Sequence, residues 1–77
     1  MRELFVSADG RYWIDLAASP EFGASGRWLC EICLYPLIKG DTKPDAALDI
    51  PIEREMLNDF ASAGLALAGG RELGLRL

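Results

Sequence analysis

The residues best equipped for chemistry are two cysteines at C-x-x-C spacing, Cys30 and Cys33, in the stretch Trp28-Leu29-Cys30-Glu31-Ile32-Cys33-Leu34-Tyr35. That spacing serves structural zinc sites and thiol redox centres, and each makes further demands. A tetrahedral zinc site takes four ligands, usually Cys or His, and this chain has two Cys and no His. Glu31 as an added ligand, or two chains sharing four cysteines, would complete the set, but no spacing signals either. A thioredoxin-type dithiol sits at a helix start, where the helix dipole lowers a thiol pKa. Here strand-like sequence flanks both thiols.

In an extended strand, residues three apart lie ~10 Å apart and point to opposite faces, farther than the ~7 Å between Cα atoms that a disulfide spans. The favoured reading is therefore a strand with Trp28, Cys30, Ile32 and Leu34 on one face and Leu29, Glu31, Cys33 and Tyr35 on the other. The thiols then pack as small hydrophobes. A dimeric metal or redox module using Cys30 and Cys33 is the alternative.

Other catalytic chemistry finds little support. Without histidine there is no Ser-His-Asp or Cys-His arrangement and no imidazole base. No G-x-S-x-G elbow, Walker loop or G-x-G-x-x-G fingerprint occurs. Asp41-Thr42-Lys43-Pro44-Asp45 lacks the alternating oxygen ligands and turn glycine of a calcium loop. Asp41, Asp45, Asp49 and Glu53 recur every four residues, but Pro44 and Pro51 oppose one continuous helix that would stack them. Neither an enzyme nor a cofactor is expected.

The elements that must position these groups follow from pattern. Glu3 to Ala8 and Arg11 to Ala17 are rich in apolar and aromatic residues and flank Asp9-Gly10, a strong hairpin signal. A two-residue turn there pairs Val6 with Trp13 on one face and Phe5 with Ile14 on the other. Residues 19 to 26 collect Ser, Pro and Gly and read as a loop, with Phe22 as its anchor on the core. A third strand runs from Arg27 to about Tyr35 and stops at Pro36, which has no N–H for a ladder and hints at a sheet edge. Residues 39 to 45 are a polar, breaker-rich connection, and 46 to 50 suit either a short strand or a helix start.

From about Pro51 to Ala68, apolar residues recur at helical spacing, including Met56, Leu57, Phe60, Ala61, Gly64 and Leu67. Gly69-Gly70 would stop that helix. Leu73, Leu75 and Leu77 alternate with Glu72, Gly74 and Arg76, as in a final strand. The expected fold is one α+β domain over residues 1–77, in the order β-β-β-α-β, with an amphipathic helix on a mostly antiparallel sheet of about four strands.

At 77 residues the chain makes one domain, and its composition is that of an ordinary soluble globule. No apolar run approaches the ~18 residues that cross a bilayer, the N-terminus lacks a signal-peptide pattern, and two cysteines are too few for a secreted disulfide scaffold. A cytoplasmic protein without membrane contact is expected. Asp41, Asp45, Asp49, Glu53, Glu55 and Asp59 against Lys43 and Arg54 account for the whole net charge of −4. That balance disfavours direct nucleic-acid binding, which needs a basic surface. Arg11-Tyr12-Trp13 and Arg27-Trp28 resemble a stacking platform in composition, but core packing is the commoner role of such residues.

Residues 61 to 68 are apolar nearly all round, which a single sheet cannot cover. Ala63, Leu65 and Ala66 are therefore expected to meet a second copy or another protein. Together with the acidic Asp45, Asp49, Glu53 and Asp59 they make a candidate contact surface. The leading expectation is a small acidic binding or regulatory module, of the size of bacterial or phage inhibitors and immunity proteins, that occupies a basic groove on its partner.

Overall fold

A computed structural model describes residues 1–22, 26–37, 43–44 and 49–76. Among these, the order is β1 (Arg2–Val6), β2 (Tyr12–Pro20), β3 (Trp28–Pro36), β4 (Glu53–Phe60) and α1 (Ala63–Gly74). The strands lie in sequential order β1-β2-β3-β4, every pair antiparallel, and α1 packs across β2, β3 and β4 on one face.

The hairpin register is the expected one, with Val6 opposite Trp13 and Phe5 opposite Ile14. The connection is longer than two residues, because the strands end at Val6 and resume at Tyr12. Its centre is a turn in which the Gly10 N–H donates to the Ser7 carbonyl (3.0 Å). Gly10 follows at a φ of 73°, a left-handed conformation that glycine adopts without steric cost. Asp9 secures the bend by accepting from Ser7 Oγ (2.7 Å) and from the Arg11 N–H (3.1 Å).

Strand periodicity places the core. Ile14, Leu16 and Ala18 of β2 and Cys30, Ile32 and Leu34 of β3 point to one face, where Ala66 of α1 closes over them. Phe5, Leu57, Phe60, Leu67 and Leu73 pack around this cluster. The helix starts at Ser62, whose side chain accepts from the Leu65 N–H (3.2 Å), a standard N-cap arrangement. Its buried stripe is Ala66, Gly70 and Gly74, small residues one turn apart that allow close approach to the sheet. A Cβ on Gly70 would lie 2.5 Å from Cys30 Sγ.

The α+β architecture of four antiparallel strands and one helix is as expected, but its last two elements are exchanged: the order is β-β-β-β-α rather than β-β-β-α-β. The helix expected over 51 to 68 is a strand over Glu53–Phe60, and the strand expected at 71 to 77 is the end of the helix. Gly69 and Gly70 lie inside the helix instead of stopping it. Phe22 is fully exposed and anchors nothing. Pro36 ends a strand that is interior to the sheet, although β4 pairs with β3 only as far as Leu34, so the Pro36 end does run past its neighbour. Residues 45–48, part of the stretch left open between strand and helix start, lie outside the described residues, as does Leu77.

Candidate protein-contact surface

Strand alternation sends Cys30 beneath the helix and Cys33 to the opposite face, so one chain's two thiols share neither a ligand nor a bond while β3 stays extended. Both are free. Burial pushes the Cys30 thiol pKa up, and burial pushes that of Cys33 up too, although a hydrogen bond with Arg54 pulls it partly back. Neither is the activated, low-pKa thiol that redox or nucleophilic work requires. Among the described residues, no three His, Cys, Asp or Glu side chains come together as a metal site would need.

The face without a helix carries a row of interacting polar groups. Leu4, Asp15, Cys33 and Arg54 align across the four strands, and Arg2, Ala17, Glu31 and Met56 form the next row. Arg2 Nη2 meets Asp15 Oδ2 at 2.5 Å, and the Cys33 thiol donates to Glu31 Oε1 at 3.6 Å. Arg54 Nε stands 4.0 Å from Glu31 Oε2. Toward the hairpin end, Trp13 and Tyr35 line a cleft of about 150 Å³ with Pro36, Pro44, Asp49 and Ile50. Burial raises the Tyr35 phenol pKa.

Among the described residues, β4 and its approach carry an exposed stretch that is both apolar and acidic. Ile50 is 87% exposed, Ile52 59% and Met56 55%, among the carboxylates of Asp49, Glu53 and Glu55. Ile52 donates its N–H to the Leu34 carbonyl (2.8 Å), which holds this approach against β3. At the far end, Asp59 adopts a φ of 71°, uncommon outside glycine and best tolerated by Asp and Asn. It is held there by its N–H bond to Glu21 Oε2 (3.0 Å) and its ion pair with Arg27 Nε (3.0 Å).

Of the residues expected at the contact surface, Asp49, Glu53 and Asp59 are exposed along one stretch, and Asp45 lies outside the described residues. Leu65 is exposed on the helix, Ala63 is half-buried, and Ala66 is wholly enclosed in the core and leaves the contact set. The reason is the later helix start: counted from Ser62 rather than from about 51, Ala66 falls on the stripe that faces the sheet. Glu55, Ile50, Ile52 and Met56 join the surface instead. Met56 escaped notice because helical spacing put it in the core, whereas an edge strand leaves it in solvent. Comparisons with protein-family models, curated proteins and solved structures find no match.

Proposed function

We propose that this chain is a small acidic binding or regulatory module that acts by contact with another protein and not by catalysis. The observation that carries this reading is the stretch from Asp49 to Met56, where three exposed apolar side chains stand among three exposed carboxylates. Apolar groups left in water beside charges are typical of surfaces that become buried on association. The carboxylates would steer the chain toward a basic partner and set orientation, while Ile50, Ile52 and Met56 would supply the buried area. An inhibitor that occupies the basic groove of a nucleic-acid-binding protein is one form of such a module. A second copy of the chain is a weaker candidate for this surface, because it would oppose like charges. The two free thiols suit a reducing, cytoplasmic setting.

The test is affinity capture with the full chain as bait, followed by titration of the captured partner against the wild type and a Glu53→Lys/Glu55→Lys variant. Both glutamates are exposed, so the variant should keep the wild-type melting temperature. The expected result is a Kd at least about tenfold weaker, equivalent to about 1.4 kcal/mol. An unchanged Kd with the fold intact would remove the acidic surface from the mechanism.

A further inference from the structure

We infer that the outer edge of β4 accepts an extended segment of the partner as a fifth strand, and that this segment alternates lysine or arginine with apolar residues. The inference rests on the protein-contact reading above and specifies its mode and chemistry. β4 is the last strand of the sheet, and among the described residues nothing pairs with its outer side. Alternate residues of such a strand turn their N–H and C=O groups outward, where another extended chain can complete the ladder.

The side chains of β4 specify what that chain should be. Glu53 and Glu55 align with Leu34 and Ile32 and so lie on the helix side of the sheet, while Arg54 and Met56 align with Cys33 and Glu31 on the other side. All four are exposed. An added strand would therefore meet two carboxylates along one side and, along the other, Met56 and Ile52 with the Arg54 guanidinium between them, which repels a basic residue there and leaves an apolar one preferred. Side chains directly opposite on paired strands are roughly 4.5–5.5 Å apart at Cβ, close enough for charge and packing to select the residue type. A period of two in the partner, basic then apolar, satisfies both sides at once.

Charge also selects against the other occupants. β4 carries Glu53, Glu55 and Asp59 against a single Arg54, so pairing with a second copy would bring six carboxylates to one junction with two guanidinium groups. The opposite edge, β1, offers no such selection. It is short, Arg2 is engaged by Asp15, and Glu3 is engaged by Arg71, whose guanidinium also lies 5.8 Å from the Phe5 ring centroid.

The experiment titrates isotope-labelled full chain with the synthetic peptide acetyl-(Lys-Val)4-amide and reads amide chemical shifts and hydrogen exchange. Two controls are a block peptide of identical composition and an alternating peptide N-methylated at every residue, which leaves neither edge with an N–H to donate. The expected result is saturable binding of the alternating peptide and slowed exchange confined to outward N–H groups of β4. Glu53→Gln/Glu55→Gln should weaken binding about three- to tenfold, the size expected for two exposed charge pairs. The N-methylated peptide, which cannot complete the ladder, should bind at least about tenfold more weakly.

If the block and N-methylated peptides bind as well as the alternating one, without protection in β4, strand addition is overturned and contact through the acidic surface stands. Absence of binding by any peptide would overturn it too and leave the glutamates as guards against edge pairing. A dimer whose β4 amides are already protected before peptide is added would replace the proposed occupant with a second copy. None of these outcomes depends on the Kd measured for Glu53→Lys/Glu55→Lys with the captured partner, so the two readings fail separately.

Discussion

The two faces of the sheet bury their residues by different means. Under the helix, Ile14, Leu16, Cys30 and Ile32 are sealed completely, with small helix residues packed directly on them. On the other face, among the described residues, no helix is layered, yet Asp15, Cys33 and Tyr35 are nearly as inaccessible. Their neighbours are long or charged: Arg2 reaches over to Asp15, Glu31 lies beside Cys33, and Arg54 approaches Glu31. Arg2 keeps its own side chain mostly in solvent while doing so. A backbone layer gives burial that only unfolding removes, whereas a cover of side chains can rearrange when another surface arrives. On the proposed contact reading, the β4 edge beside this second face is where a partner would arrive.

Truncating one apolar side chain from each environment should separate the two most widely. Ile32→Ala empties a fully sealed site and should cost about 2–5 kcal/mol, enough to leave so small a domain close to unfolding. Met56→Ala on β4 should stay within about 0.5 kcal/mol. Urea denaturation of both variants, compared at unchanged m, gives the values directly. Equal losses would mean that the uncovered face is packed as tightly as the covered one.

The contact beneath the helix can be probed from the helix side. Gly70→Ala should destabilise by about 1–3 kcal/mol, even though alanine favours helix over glycine by roughly 1 kcal/mol. The new methyl would collide with Cys30 Sγ and press Leu16 Cδ2 at 3.3 Å. Cys30→Ala in the same chain should restore much of the loss, and a double-mutant cycle would measure that coupling. A Gly70→Ala variant as stable as wild type would show that the helix does not need its close approach.

That close approach also explains where the sequence was hard to read. The hairpin register was legible because Asp9-Gly10 sits between two well-patterned segments, and β3 because both of its faces are apolar. Beyond residue 50 local signals pointed the wrong way. Glu53-Arg54-Glu55-Met56-Leu57 is made of good helix formers, and the first four residues of this edge strand, exposed on both sides, carry no alternation to oppose them. Gly69 and Gly70 resemble a helix stop in isolation, but tertiary packing requires small residues there. Ser62, three residues before the Leu65 amide that it caps, was the one local mark of the true helix start. The acidic half of the proposed contact surface was visible as composition, whereas its apolar half depended on knowing that β4 is an edge.

On the uncovered face, the Arg2–Asp15 pair should respond asymmetrically to loss of either partner. Arg2→Met leaves the Asp15 carboxylate, 8% exposed, without its cation and should cost about 1 kcal/mol. Asp15→Leu removes the buried charge itself and returns Arg2 to water, which it already largely occupies, so it should change stability by no more than about 0.5 kcal/mol. Thermal melts of the two variants at neutral pH test this ordering. Equal costs would mean that the pair contributes through its packing and not through its charge.

The smallest effect on stability should come from the thiols, which offer the finest distinction between the two faces. Burial raises both folded-state pKa values, so around and above about pH 8.5, where a free thiol is half ionised, the unfolded chain loses protons that the folded chain retains. Stability should therefore be whole below that pH and fall as pH rises toward the folded pKa values. Cys30→Ala and Cys33→Ala should each remove part of this alkaline loss. Labelling with iodoacetamide at pH 8 adds the kinetic side: Cys33, covered among the described residues by side chains, should react at least about tenfold faster than Cys30, whose exposure requires the helix to leave the sheet. Equal rates would place both thiols in one cooperative unit and remove the distinction between a hard face and a soft one.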